Sequence, residues 1–297
     1  MKLFLLTATL CLGADHRVAI TIDDVPRGGD GGGRDYASIR TMTEKLLKPF
    51  REQHIPVTGF VNEGQLAAPE LRKILDWWLD AGADLGNHTY SHADLSTMPL
   101  EAFQADVLSG EPVTRAALAA KGKKLQYFRY PFLHTGPNRE IVESFKTFLA
   151  QHGYINAPVT LDDSDYMFAR AYTEPVFRER VLREYIPYIA SIVEFFEKRA
   201  VEVTGHDIPQ ILLIHASQLN ADQMPALVAM FRAHGYSFVS LEEALKDPAY
   251  SLPDDYAGTG GFSWIHRWCM TKKMKLKGEP DEPQWVRDAF MRLQEAP

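Results

Sequence analysis

In the stretch DLGNHTYSHADL, residues 84–95, two histidines, His88 and His92, stand four residues apart. That interval fits two ligands of one metal ion, a pair of surface imidazoles, or two positions on one face of a helix. A second pair, Asp23 and Asp24, closes the β-rich run RVAITIDD. Adjacent carboxylates at the end of a buried strand repel each other unless a cation or a proton separates their charges. One metal ligand beside one free base resolves that conflict; capping of the following loop is the plainer alternative. An aspartate with two imidazoles supplies three ligands and leaves positions for water, the arrangement of a hydrolytic zinc site.

Two more residues fit such chemistry. Arg129, in FRYPF, is followed closely by Pro131, which stiffens the turn. Its guanidinium can hold Asp23 ionised and oriented, or simply face water. His215 closes ILLIH, a run so apolar that an imidazole there needs a polar partner; a backbone carbonyl would also serve.

These residues must be positioned by the elements around them. Seven short β-rich runs, RVAITIDD, IPVTGFVN, GADLGNH, LQYFRYP, YINAPVTLDD, QILLIHAS and YSFVSLEE, alternate with helical patterns, several of which finish at glycine where a helix C-cap wants a left-handed residue. The alternation predicts βα units around parallel strands, as an open doubly wound sheet or a closed barrel. The run ends carry Asp23, Asp24, Asn62, Asn87, His88, Arg129, Asp162 to Asp165, His215 and Ser240. Polar groups recurring there favour the barrel, whose loops converge on one site at the strand C-termini. The glycine stretch RGGDGGGRD, residues 27–35, lacks the Lys-Ser/Thr ending of a phosphate-binding loop and reads as a mobile first βα loop able to gate the cavity.

The 297 residues, 45% hydrophobic, suffice for a sizeable core. A formal net charge of −7 without a long basic run argues against nucleic acid as a partner. MKLFLLTATLCLGA, residues 1–14, has the pattern of a short secretory signal peptide and is too short to span a bilayer, so a secreted, periplasmic or cell-envelope protein with no transmembrane segment is expected. With that leader removed, Cys269 is the only cysteine, and an intrachain disulfide is impossible. From about residue 249, Pro and Gly break the alternation and Trp264, Trp268 and Trp285 follow; such aromatics can stack on sugars, but packing on the barrel wall is the expected role. The expected divisions are therefore a leader over 1–14, a catalytic domain over 15–248, and an extension over 249–297 that packs on the barrel.

Taken in order, TIDD, HTYSH, RYPF, DDSDY and LLIH resemble the five motifs of the polysaccharide deacetylases, the NodB homology domain of carbohydrate esterase family 4, over about residues 18–245. Five motifs in sequence are a more specific signal than any one of them. The resemblance implies a distorted seven-stranded (β/α) barrel and a metal-dependent hydrolase that removes N-acetyl, or sometimes O-acetyl, groups from a sugar polymer such as chitin or peptidoglycan. It implies one divalent metal ion, usually zinc, held by Asp24, His88 and His92. Asp23 is then the general base, Arg129 its tether and His215 the general acid. Asp165 is the expected carboxylate support for His215 or Arg129, with Asp162 and Asp163 as competitors. Pro131, Phe132, Tyr166 and Leu212 are the expected substrate-binding residues, Leu212 and Tyr166 lining the methyl pocket.

Two positions depart from the family pattern: Tyr166 stands where tryptophan is usual, and Phe132 where tyrosine is common. If the Phe132 N–H serves an oxyanion, the lost hydroxyl matters little. Rival readings are an O-acetyl xylan esterase, a small cyclic amide hydrolase, which the leader disfavours, and a sugar-binding domain of the same fold without activity. A purely structural barrel leaves the charges at Asp23, Asp24 and His215 without a purpose.

Overall fold

The computed structural model describes residues 16–294; the leader expected over residues 1–14 lies outside them. In chain order the strands are β1 (His16–Val25), β2 (Val57–Val61), β3 (Asp84–Asn87), β4 (Tyr127–Phe128), β5 (Ile155–Asn156), β6 (Leu161–Asp162), β7 (Gln210–His215) and β8 (Tyr236–Phe238). The helices are α1 (Tyr36–Gln53), α2 (Pro69–Asp80), α3 (Leu100–Ser109), α4 (Pro112–Ala120), α5 (Arg139–Gln151), α6 (Asp165–Tyr172), α7 (Pro175–Thr204), α8 (Gln218–Ala233), α9 (Leu241–Ala244), α10 (Trp264–Thr271) and α11 (Gln284–Gln294).

Strand β1 is buried on both faces, as a central parallel strand must be. Val18, Ile20 and Ile22 point outward into the large core beneath the helices, while Ala19 joins Phe60, Tyr127, Ala157 and Ile211 in a separate cluster inside the curled sheet. Leu241 and Ala244 of α9 plug the lower end of that interior. Period-two alternation then carries Thr21 and Asp23 up the inner face toward the strand C-termini.

Seven strands run β5-β4-β3-β2-β1-β7-β6 in a curled, all-parallel sheet, and β8 pairs with the first residues of β1 off that path. The expected distorted seven-stranded barrel is thus the fold, though its seven strands are not the seven sequence runs. YINAPVTLDD divides at Ala157-Pro158, because proline cannot donate to a ladder. Its first part pairs with β4 and its second with β7, so one short segment joins the two edges of the sheet. The long pattern PLEAFQADVLSGEPVTRAALAAKG likewise divides at Gly110 into α3 and α4.

Beyond the barrel, α10 packs on α7 and α11 on α6. Trp264 and Trp268 are buried, and Trp285 donates its indole N–H to Glu184 Oε2 at 2.7 Å. Cys269 is a free, buried thiol. Among the described residues no helix is long and apolar enough to cross a membrane.

Candidate active site

Alternation along a strand sends adjacent side chains to opposite faces, yet Asp23 and Asp24 both line one cavity of about 710 Å³. The backbone explains this. Asp24 takes the left-handed conformation, φ 63°, and the register of β1 against β2 shifts between Ile22 and Val25. The bulge swings the second carboxylate back beside the first.

Asp23 is buried and accepts from Arg129 Nη1 at 3.2 Å on each oxygen. Arg129 is itself fully buried: Nε donates to the Ala157 carbonyl at 2.7 Å, Nη2 to Thr21 Oγ1 at 2.9 Å, and the guanidinium lies over the Phe60 ring at 4.6 Å. Burial pushes the Asp23 carboxyl up to about 6, against the pull of the Arg129 and His215 charges.

His88 and His92 do not share a helix face. They sit in the loop after β3, which turns through left-handed Thr89 (φ 67°) and His92 (φ 58°). Asn62 Nδ2 donates to the His88 carbonyl at 2.5 Å, and the Asn87 carboxamide ties the loop to Val107, Tyr154 and the Thr89 N–H. His88 Nδ1 meets the Arg129 carbonyl at 2.9 Å, which places the proton on Nδ1 and leaves the Nε2 lone pair facing Asp24.

His88 Nε2 and His92 Nε2 lie 3.6 and 3.4 Å from Asp24 Oδ1, and one ligand atom from each of the three residues falls within 4.8 Å of the others. A tetrahedral ion with bonds of about 2.0–2.1 Å spaces its ligands by about 3.3 Å. Asp24 Oδ1 is buried without a hydrogen-bond donor, and burial holds both imidazoles below their ordinary basicity, His88 well below. Neutral imidazole nitrogens facing an orphaned carboxylate oxygen are a donor set that fits a divalent cation.

Across the cavity, His215 ends β7 with Nδ1 2.6 Å from Asp165 Oδ1. Burial depresses its basicity, but the charge and hydrogen bond of Asp165, with Asp24 and Asp23 behind, outweigh it and lift the imidazole to about 10. Of the three competing carboxylates, only Asp165 bonds His215. Asp163 is buried and accepts the Asp165 N–H at 3.1 Å, and Asp162 faces the cavity. The hydrogen bonds of Arg129 go to Asp23, Thr21 and Ala157, not to this cluster.

Phe132 and Tyr166 line the cavity, more than half and about two-fifths exposed. The Phe132 ring meets His92 edge-on at 4.4 Å, and Tyr166 stands between His215 and Phe290. Leu212 and Pro131 do not line it. Period two puts Leu213, two residues before His215, on the cavity face, and Leu212 is buried in the outer core, so the place expected for Leu212 is taken by Leu213. Pro131 is buried at the start of a short 3-10 turn. Of the other run-end residues, Asn87 serves the loop and Ser240 caps α9.

The glycine loop differs from its expected mobile form. Arg27 and Asp30 form a buried two-bonded pair at 2.9 Å on each arm, Asp30 Oδ2 also accepts the Gln218 N–H at 2.9 Å, and Arg34 bonds the Arg27 and Gly28 carbonyls. A Cβ at Gly32 would fall 1.7 Å from Arg27 Nη2, so glycine there makes room for the guanidinium. Arg27, Arg34, His134 and Phe290 also line the cavity. Sequence reasoning missed all four; charges interleaved among glycines were the available signal for the arginines, and nothing local marked Phe290.

The polysaccharide deacetylase family model matches residues 13–154. A little under half of the chain thus carries this family's sequence pattern. The match ends before His215, which the fold brings to the same cavity, and before Asp165, which is buried behind that histidine. Among solved structures, the chain resembles a CE4 family pseudoenzyme from Bacillus anthracis (16% identity, TM-score 0.53, 78% of this chain and 66% of the other). It also resembles a CE4 family pseudoenzyme mutant with restored enzymatic activity (18%, 0.52, 78% and 68%). A third is the Xyl-CE4 domain of a multidomain xylanase from the hindgut metagenome of Trinervitermes trinervoides (17%, 0.50, 84% and 100%). The chain thus spans about two thirds of the first two proteins. These likenesses concern the polysaccharide deacetylase fold. No curated protein sequence matches the chain.

Proposed function

We propose that this protein is a polysaccharide deacetylase, a divalent-metal-dependent hydrolase that removes N-acetyl groups from a sugar polymer or oligomer of the N-acetylglucosamine type. One observation carries the reading: Asp24, His88 and His92 converge within 4.8 Å, with Asp23 and His215 on the same cavity. A divalent ion at those three residues, zinc being the ordinary choice for such ligands, supplies Lewis acidity toward the acetyl carbonyl and lowers the pKa of water.

The protein's own groups do the rest. Asp23, held by Arg129, accepts a proton from the attacking water. The Phe132 N–H donates to the oxygen that gains charge as the carbonyl carbon becomes tetrahedral. His215, protonated on Nε2 and held at Nδ1 by Asp165, gives its proton to the nitrogen as the C–N bond breaks, leaving acetate and a free amine. Tyr166 and Leu213 flank the acetyl group. An amide nitrogen leaves only when protonated, whereas an ester oxygen depends on this less; a histidine kept protonated to about 10 supports the amide.

The pseudoenzymes among the structural neighbours raise the alternative of binding without turnover. What supports turnover here is that three ligands, a tethered base and a paired acid are all present. The deciding experiment measures acetate release from chito-oligosaccharides, chitin, peptidoglycan and acetylated xylan, with chelator and with zinc restored. Zinc-dependent release from the N-acetylated substrates is expected. Release from xylan alone makes the protein an O-acetyl esterase, and binding with no release from any substrate overturns the enzymatic reading.

A further inference from the structure

Behind His215 lies a set of buried polar groups that the proposed reaction does not yet use. Asn220, in the first turn of α8, is 1% exposed, and Tyr185, within α7, is fully buried. Asn220 Nδ2 donates to Asp165 Oδ2 at 2.6 Å and to the His215 carbonyl at 2.8 Å. Asn220 Oδ1 accepts from the Tyr185 hydroxyl at 2.6 Å. Two acceptors on one side and a hydroxyl on the other fix which way the carboxamide points. Burial holds the Tyr185 hydroxyl protonated, well above its ordinary value, so it keeps the proton that it donates to Asn220 Oδ1.

Asp165 is thereby enclosed by donors. Oδ1 takes the His215 ring, and Oδ2 takes both the His215 N–H, at 2.8 Å, and Asn220. Asn220 bridges the carboxylate to the backbone of the same histidine that the carboxylate holds by its ring. Carboxylate, imidazole and strand end are locked as one body, and Tyr185 fastens that body to the thirty-residue helix α7. A proton donor fixed in this way keeps Nε2 within the narrow range of positions from which transfer is fast.

Resting on the deacetylase reading, we propose that Asn220 and Tyr185 are positioning residues for proton delivery, acting through Asp165 to aim His215 at the leaving nitrogen. This gives α7 a part in the reaction although neither residue touches substrate.

The test compares wild type, Asn220→Ala and Tyr185→Phe on two substrates: an N-acetyl chito-oligosaccharide, whose amine must be protonated to leave, and 4-nitrophenyl acetate, whose phenolate leaves unaided. With zinc-loaded protein, kcat on the amide should fall about 10-fold or more for Asn220→Ala and about 3-fold for Tyr185→Phe, with KM little changed. On the aryl ester both variants should stay within about 2-fold of wild type. Equal losses on both substrates, or none on the amide, overturn the proposal. If Asn220→Ala does not fold, Tyr185→Phe, which keeps the ring, carries the test. The low-field imidazole proton of His215 Nδ1 gives a readout without turnover: Tyr185→Phe should move it upfield, and an unmoved resonance counts against the proposal. A wild-type protein that releases acetate from neither substrate refutes the deacetylase reading, while that resonance still decides whether Tyr185 positions the histidine.

Discussion

Asp23 Oδ2 and Asp24 Oδ1 lie 3.7 and 3.6 Å from the same atom, His88 Nε2, although the two residues are neighbours in a strand that should send them to opposite faces. The left-handed turn at Asp24 makes one of them available to a cation and leaves the other to Arg129. Asp23→Asn should therefore keep bound metal, measured as zinc per chain, while kcat falls about 100-fold or more, the scale of a lost general base. Near-normal turnover removes Asp23 from that role.

His92→Ala leaves Asp24 and His88 as a two-residue site. Zinc content should fall from one per chain toward zero, and the rise in Tm that zinc gives the wild type should vanish, since a ligand stabilises only the state that binds it. Full zinc occupancy in the variant would mean that the ligands are different ones.

The pH profile follows from His215 and Asp165. Asp165, with Asp24 and Asp23 behind, lifts His215 to about 10 in the absence of a cation; a bound cation offsets the Asp24 charge and places the alkaline limb lower, and above that limb the reaction loses its acid. Asp165→Asn removes the charge that outweighs burial, so the alkaline limb of kcat should move down toward the ordinary imidazole value of about 6.5. The acid limb belongs to Asp23, which burial raises to about 6 in the absence of a cation; a bound cation favours the ionised form and places that limb lower. An alkaline limb unmoved by Asp165→Asn excludes His215 as its source.

Asp30→Ala strips the partner from Arg27, whose side chain is 4% exposed, and leaves a buried guanidinium without its carboxylate. A loss of about 3–5 kcal/mol is expected. Urea unfolding measures it, and limited proteolysis within residues 27–35 should become faster than in wild type. A loss below about 1 kcal/mol would show that the loop is held by other contacts.

Much of this site was legible because its chemistry lies at the ends of β-rich runs. The βα alternation located the rim, and Asp23, Asp24, His88, Arg129 and His215 all stand within a residue or two of a strand end. What the sequence concealed depended on backbone conformation or on distance. Nothing in HTYSH announces left-handed turns at Thr89 and His92 instead of a helix, and Leu212 was preferred to Leu213 for want of the strand's period. Asp162, Asp163 and Asp165 are indistinguishable until the left-handed turn at Ser164 aims the last of them at His215. Asn220 and Tyr185 come from helices whose apolar patterns gave no sign of a polar task.

The four residues between β5 and β6, Ala157 to Thr160, span from one edge of the curled sheet to the other. The carbonyl of Ala157 also receives Arg129 Nε, the guanidinium that steadies Asp23. Girth and reactivity therefore share a clasp: lengthening this span by one residue would slacken the ring and shift the carbonyl that seats the arginine.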